Sequence, residues 1–83
     1  MKFRAKVEVT LKEGVLDSQG RTILGGLRSL GYGDVEEVRT GKLLQLSLTA
    51  EDQAQAASQL EEMARRLLAN PVLEKFTFVL EQA

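Results

Sequence analysis

A chain of 83 residues, with 11 Lys and Arg against 12 Asp and Glu, has room for one domain over residues 1–83 and carries a formal charge of −1. It contains no Cys and no His, which excludes disulfides, thiolate nucleophiles, thiolate- or imidazole-bound metals and a Ser-His-Asp arrangement. Seven basic and six acidic residues precede the end of Gly41, and four and six follow it, so the basic footprint of a nucleic-acid or anionic-membrane binder is missing.

By area scaling a folded chain of this size exposes roughly 4,900 Å² and buries about 63% of its surface, a core small enough to favour association. Met1 to Lys6 alternates charged and apolar side chains, unlike a signal peptide. No run nears the roughly 18 apolar residues of a membrane span, and the expected compartment is the cytoplasm.

From Lys2 to Lys12 the alternation is strict. Phe3, Ala5, Val7, Val9 and Leu11 share one face; Lys2, Arg4, Lys6, Glu8, Thr10 and Lys12 share the other. Period two over that length predicts a strand with one buried face, ended by Glu13-Gly14. Asp17 is a good helix N-cap, and Ile23, Leu24, Leu27 and Leu30 then follow helical spacing up to a C-terminal stop at Gly31. Gly25-Gly26 inside this helix costs about 1 kcal/mol per residue relative to Ala, which suggests close packing on a sheet or, more sharply, close contact with a partner.

Asp34 to Leu48 reads as two strands around a Thr40-Gly41-Lys42 turn. The second is marked by Leu44, Leu46 and Leu48; the first, Val35 to Arg39, is weaker and its charges suit a sheet edge. Thr49 to Asp52 resembles a capping box with Thr49 as N-cap. Ala57, Leu60, Ala64, Leu67 and Leu68 form the apolar stripe of the helix that follows, and Asn70-Pro71 stops it. Phe76, Phe78 and Leu80 mark a last strand. The expected fold is α+β: a two-layer β-α-β-β-α-β order with two helices on one face of a four-stranded antiparallel sheet, ferredoxin-like or a close variant.

No motif in the chain assembles a catalytic centre. Gly31-Tyr32-Gly33 lacks the third glycine and preceding strand of a dinucleotide site and reads as a turn. Glu36-Glu37 and Glu61-Glu62 are adjacent pairs whose side chains diverge. Asp17 has no nucleophile or metal partner, which leaves capping as its role. Arg39 and Lys42 place two cations around a turn, where they can grip an anion or simply solubilise it. The four aromatic residues are too few, and fall too much on apolar strand faces, for an RNA-recognition sheet. Lys12 to Leu16 does not supply the phosphate-cradling loop of an acylphosphatase-type domain.

Three blocks carry a resemblance. Leu11-Lys12-Glu13-Gly14-Val15-Leu16-Asp17-Ser18-Gln19-Gly20 is similar to a K-x-G-V-L-D-P-Q-G signature, with Ser18 at a common proline position. Leu30-Gly31-Tyr32 with Val38-Arg39-Thr40-Gly41-Lys42 resembles L-G-Y…V-R-x-G-K. Leu67-Leu68-Ala69-Asn70-Pro71-Val72-Leu73-Glu74 resembles L-L-A-N-P-V-I-E. These are the marks of the PurS family, small subunits of formylglycinamide ribonucleotide amidotransferase (phosphoribosylformylglycinamidine synthase), and they span Leu11 to Glu74 in order.

The resemblance implies a non-catalytic, homodimeric subunit of an ATP-dependent carbon-nitrogen ligase in purine biosynthesis. It implies two partners, a large synthetase subunit that binds ATP and magnesium and a glutaminase subunit that releases ammonia, with no cofactor in this chain. If the fold is β-α-β-β-α-β, the matched blocks fall at opposite ends of the sheet. Asp17, Gln19, Asn70 and Pro71 are then expected to form one partner contact and Arg39, Gly41 and Lys42 a second, as a bridging subunit requires. The alternative from another class, sharing the same element order, is an ACT-like regulatory domain that binds a small molecule.

Overall fold

The alternating segment becomes the middle of a three-stranded antiparallel sheet. In the computed structural model, which describes residues Met1–Ala83, β1 (Lys2–Leu11) is flanked by β2 (Gly41–Thr49) and β3 (Glu74–Gln82) in the order β2-β1-β3. The helices are α1 (Ser18–Ser29) and α2 (Gln53–Met63), the latter continued by a π-helical turn over Ala64–Leu68. Phe3, Ala5, Val7 and Val9 are buried, facing Leu44, Leu46 and Leu48 on one side and Phe76, Phe78 and Leu80 on the other. α2 lies over this face and closes the core with Ala56, Leu60 and Ala64. Lys2, Arg4, Lys6 and Glu8 point to the opposite, uncovered face.

The fourth strand is not formed. Residues 35–40 are unpaired and run directly into β2, so Thr40-Gly41-Lys42 is a strand entry rather than a hairpin. The physical reason is the spacing of the segment's apolar residues. Val35 and Val38 are three apart and cannot share one face of a strand, whereas Leu44, Leu46 and Leu48 can.

This changes the topology. β2 pairs directly with β1 and runs antiparallel to it, Thr10 opposite Gly41. The excursion from Lys12 to Thr40 therefore leaves and returns at the same end of the sheet. α1, expected on the sheet, instead lies off it: Gly20 is its only buried residue, and Ile23 and Leu30 are exposed. A ten-residue strand is about 33 Å long and a twelve-residue helix about 18 Å. Laid end to end they account for a long axis of 51 Å in a molecule only 14 Å thick. The radius of gyration, 16.3 Å, is well above the roughly 12 Å of a compact chain of this length.

Local signals for α1 hold. Asp17 is its N-cap. At the other end Gly31, at φ +100°, closes a Schellman motif in which Gly31 N–H donates to Arg28 O and Tyr32 N–H to Leu27 O, both at 3.0 Å. The space around Gly25 and Gly26 is open, so packing of these glycines against the sheet does not occur.

α2 begins three residues later than expected. The first residue and Ala50 exchange backbone hydrogen bonds of 2.9 and 3.0 Å, which carries extended pairing past Thr49. Asp52 then caps the helix by accepting from Gln55 N–H at 2.8 Å, while Gln55 Oε1 accepts from Glu51 N–H. At its far end Ala69 N–H donates to Ala64 O, five residues back. That wide turn rotates the apolar stripe: Ala69 is buried and Leu68 packs on the core, but Leu67 is 84% exposed.

Candidate functional site

The first and third matched blocks and the Val38–Lys42 part of the second meet at one end of the sheet, where β1 exits, while Leu30-Gly31-Tyr32 closes the far end of α1. After Leu11 the chain turns over Lys12 to Val15, with Val15 N–H donating to Lys12 O and Gly14 at φ +83°, the third-position conformation that a type II turn demands. The turn delivers Asp17 inward, 4% exposed. Its carboxylate accepts from Gly20 N–H at 2.9 Å, Thr40 N–H at 2.6 Å and Thr40 Oγ1 at 2.8 Å. One side chain thus caps α1 and pins the entry to β2. These donors, the Thr40 backbone N–H foremost, together with the nearby Arg39 guanidinium, hold the Asp17 carboxyl below its ordinary value. A carboxylate so stabilised is a poor proton acceptor, which argues for a structural role and against general-base chemistry.

Arg39 reinforces the junction from the other side. Its guanidinium donates to the carbonyls of Val15, Leu11 and Lys12 at 3.3, 3.4 and 3.3 Å. Lys12 in turn reaches the third block, donating from Nζ to Pro71 O at 2.6 Å, while Lys12 N–H donates to Leu73 O at 2.9 Å. Asn70 shapes that block by accepting from Val72 N–H at 3.0 Å and donating its own N–H to Glu74 Oε1 at 2.8 Å. Two glycines allow the close approach. A Cβ on Gly20 would overlap the Val38 carbonyl oxygen, and one on Gly41 the Val9 carbonyl oxygen.

The expectation of two contact regions at opposite ends is therefore corrected. With the fourth strand absent, Arg39, Gly41 and Lys42 lie at the same end as Asp17, Gln19, Asn70 and Pro71. Gln19, Gly41 and Lys42 even share a shallow recess of about 250 Å³ with Thr10 and Glu74. Asp17 and Arg39 spend their polar atoms inside the protomer, whereas Gln19, Gly41, Lys42, Asn70 and Pro71 are exposed. Sequence reasoning missed the structural parts of Lys12 and Thr40. Both lie within the matched blocks, and that was the only signal available, since no periodicity links them to Pro71 or Asp17.

Beside the junction a cleft of about 380 Å³ opens between the β1–α1 turn, α1 and the segment before β2. Its rim mixes Glu13, Glu36 and Glu37 with Arg21 and Arg39, of which Glu37 and Arg39 pair at 3.9 Å. No cluster of three or more acidic residues is placed to hold a metal ion, and no helix is long and apolar enough to cross a membrane. The β-α-β-β-α-β order behind the ACT-like alternative is not formed.

A thin α+β scaffold whose most elaborate polar network locks its own loops is a structural or docking subunit. Residues 4–82 match the family model PurS, phosphoribosylformylglycinamidine (FGAM) synthase, and the chain belongs to that family, whose members are subunits of the ligase that forms FGAM in purine biosynthesis. A PurS subunit from Synechocystis is 43% identical over 76 residues, covering 92% of this chain and 76% of its own. One from Methanocaldococcus jannaschii is 38% identical, covering 96% of both. Among solved structures, Thermus thermophilus PurS superposes with a TM-score of 0.88 at 39% identity over 100% of this chain and 99% of its own. A chain of the PurLQS structure from Thermotoga maritima does so with a TM-score of 0.89 at 28% identity over 98% and 99%.

Proposed function

We propose that this chain works in the cytoplasm, as a homodimer or larger assembly, as the small subunit that holds the synthetase and glutaminase subunits of FGAM synthase together. The observation that carries this reading is the near-complete superposition on a chain from a structure of the assembled PurLQS complex. In this role the chain contributes geometry: ammonia released from glutamine has to reach formylglycinamide ribonucleotide before it escapes to water, and fixing two active sites relative to each other achieves that. ATP and magnesium belong to the synthetase subunit, and this chain carries no cofactor. The partner-facing surface is the exposed part of the junction, Gln19, Gly41, Lys42, Asn70 and Pro71, with Asp17 and Arg39 holding its shape from behind.

Reconstitution of the synthetase and glutaminase subunits with and without this chain tests the role. Glutamine-dependent FGAM formation is expected to collapse without it, while formation from added ammonium salt persists, because free ammonia bypasses the need for docking. Equal glutamine-dependent rates in both mixtures would overturn the reading. Within the complex, Lys42→Glu is expected to weaken assembly, with the wild-type contact itself loosening as salt is raised.

A further inference from the structure

The outer face of the sheet carries a row of cations that the chain leaves without partners. Lys12, Arg28, Arg39, Arg65, Arg66 and Lys75 each bond to a carbonyl or carboxylate of the protomer. Lys2, Arg4 and Lys6, at alternate positions of β1, take part in none of the four ion pairs. Successive members of such a row stand about 7 Å apart on one face of a strand, close enough for like charges to repel. β2 places neutral groups alongside, with Gln45 opposite Lys6 and Ser47 opposite Arg4. On the other flank Glu81 is opposite Arg4 but forms no ion pair with it. Arg4, Lys6, Gln45, Ser47 and Glu81 surround a recess of about 480 Å³, roomier than the cleft of about 380 Å³ beside the junction. The recess is net positive in a chain whose overall charge is −1.

We propose that this recess binds a phosphomonoester, a small molecule ending in a phosphate dianion. Arg4 brings a planar fork of N–H donors to the phosphate oxygens and Lys6 a compact ammonium. The Gln45 amide and the Ser47 hydroxyl are the neutral donors on the β2 side. Two adjacent cations suit a dianion, whereas a carboxylate neutralises only one of them. Size favours an ester over the free ion, since the recess lies within the roughly 300–1,000 Å³ of small-molecule sites. Val79, opposite Lys6, and Leu43, two residues from Gln45, are exposed on the same face and offer apolar contact to the organic part of the ester. Glu81 repels the phosphate from the β3 side, which sets the anion over the β1–β2 half of the recess. The inference is independent of the bridging role and concerns a surface away from the junction.

Amide NMR of the isotope-labelled full chain, titrated at ionic strength held constant with sodium chloride, tests the site. Inorganic phosphate, ribose 5-phosphate and AMP are the phosphate probes; ribose, adenosine and acetate are the controls. Saturable shifts at residues 4–6 and 45–47 are expected with the phosphates and not with the controls, and the esters are expected to bind more tightly than free phosphate. The tighter of the two esters tells a sugar phosphate from a nucleotide. Arg4→Gln with Lys6→Gln is expected to weaken binding at least about tenfold, the scale of one lost charge-assisted hydrogen bond. Far-UV circular dichroism stays unchanged, because both side chains are exposed. Glu81→Gln is expected to tighten binding, and Lys75→Gln, on the same face but paired with Glu13, to leave it unchanged. Free phosphate binding as tightly as both esters overturns the ester assignment. Shifts that do not saturate, that map outside the recess, or that Lys75→Gln removes as fully as the double variant overturn the site in favour of diffuse charge. A wild-type chain that responds to no probe overturns it too; failure of the double variant to assemble with the other subunits then marks the row as a protein contact.

Discussion

Asp17 shows how one residue can join local and long-range structure. As an N-cap it satisfies one of the open N–H groups of α1, and through Thr40 it ties residue 17 to residue 40. Because folding holds its carboxyl below the ordinary 3.8, the stability it adds is complete above that pH. It is lost as pH falls through the lower folded value. Asp17→Asn is therefore expected to lower the melting temperature at neutral pH and to flatten the acid limb of stability below about pH 4, read by thermal melts across the acid range. Gly20 makes the same contact possible from the backbone side. Gly20→Ala, whose Cβ meets the Val38 carbonyl oxygen, is expected to destabilise by about 1–3 kcal/mol, as overpacking does, in a chemical denaturation series.

At the scale of elements, the π-helical turn after α2 decides which leucines matter. Leu60 is fully buried against β1, and Leu60→Ala is expected to cost about 2–5 kcal/mol, enough to threaten a domain of this size. Leu67 occupies a similar place in the sequence pattern but points outward. Leu67→Ala is expected to change stability by less than about 0.5 kcal/mol. Equal losses for the two in urea melts would contradict the turn's register. In α1, Gly25 lies on the side of the helix away from the Leu24–Leu27 face with open space around its Cα. Gly25→Ala is expected to stabilise by about 0.5–1 kcal/mol, through lower entropy of the unfolded chain and better helix propensity.

For the whole molecule, the thin shape implies that stability and association are linked. A protomer with its core on one face of three strands, and a helix off the end of the sheet, buries little on its own. Partner binding to the native state adds stability by mass action. The melting temperature is accordingly expected to fall on serial dilution through the dimer dissociation constant, and a concentration-independent melt would count against coupling of the two. The same shape leaves the outer sheet face and the exposed part of the junction uncovered by the protomer's own elements.

The sequence by itself determined the elements that follow from short-range physics. Alternation placed β1, β2 and β3, since period two has only one way to bury Phe3, Val7 and Val9 together. Asp17 and Gly31 bounded α1 correctly because caps act within a turn of the chain. The matched blocks also disclosed the family, and with it the class of function. What only the tertiary structure decided was the arrangement of these pieces. The segment Val35 to Arg39 has the composition of an edge strand, yet its two valines fall on opposite faces of an extended chain, and it runs straight into β2 without the reversal that would lay it along β2's free edge. From that one missing strand follow the antiparallel entry of β2, the arm beyond the sheet and the meeting of Val38–Lys42 with the first and third blocks at one end. The placement of Leu67 depended on a single wide turn, and that of Thr49 on how far the first residue prolonged pairing with Ala50. Such outcomes are set by groups far apart in sequence competing for the same hydrogen bonds, a competition that no local pattern records.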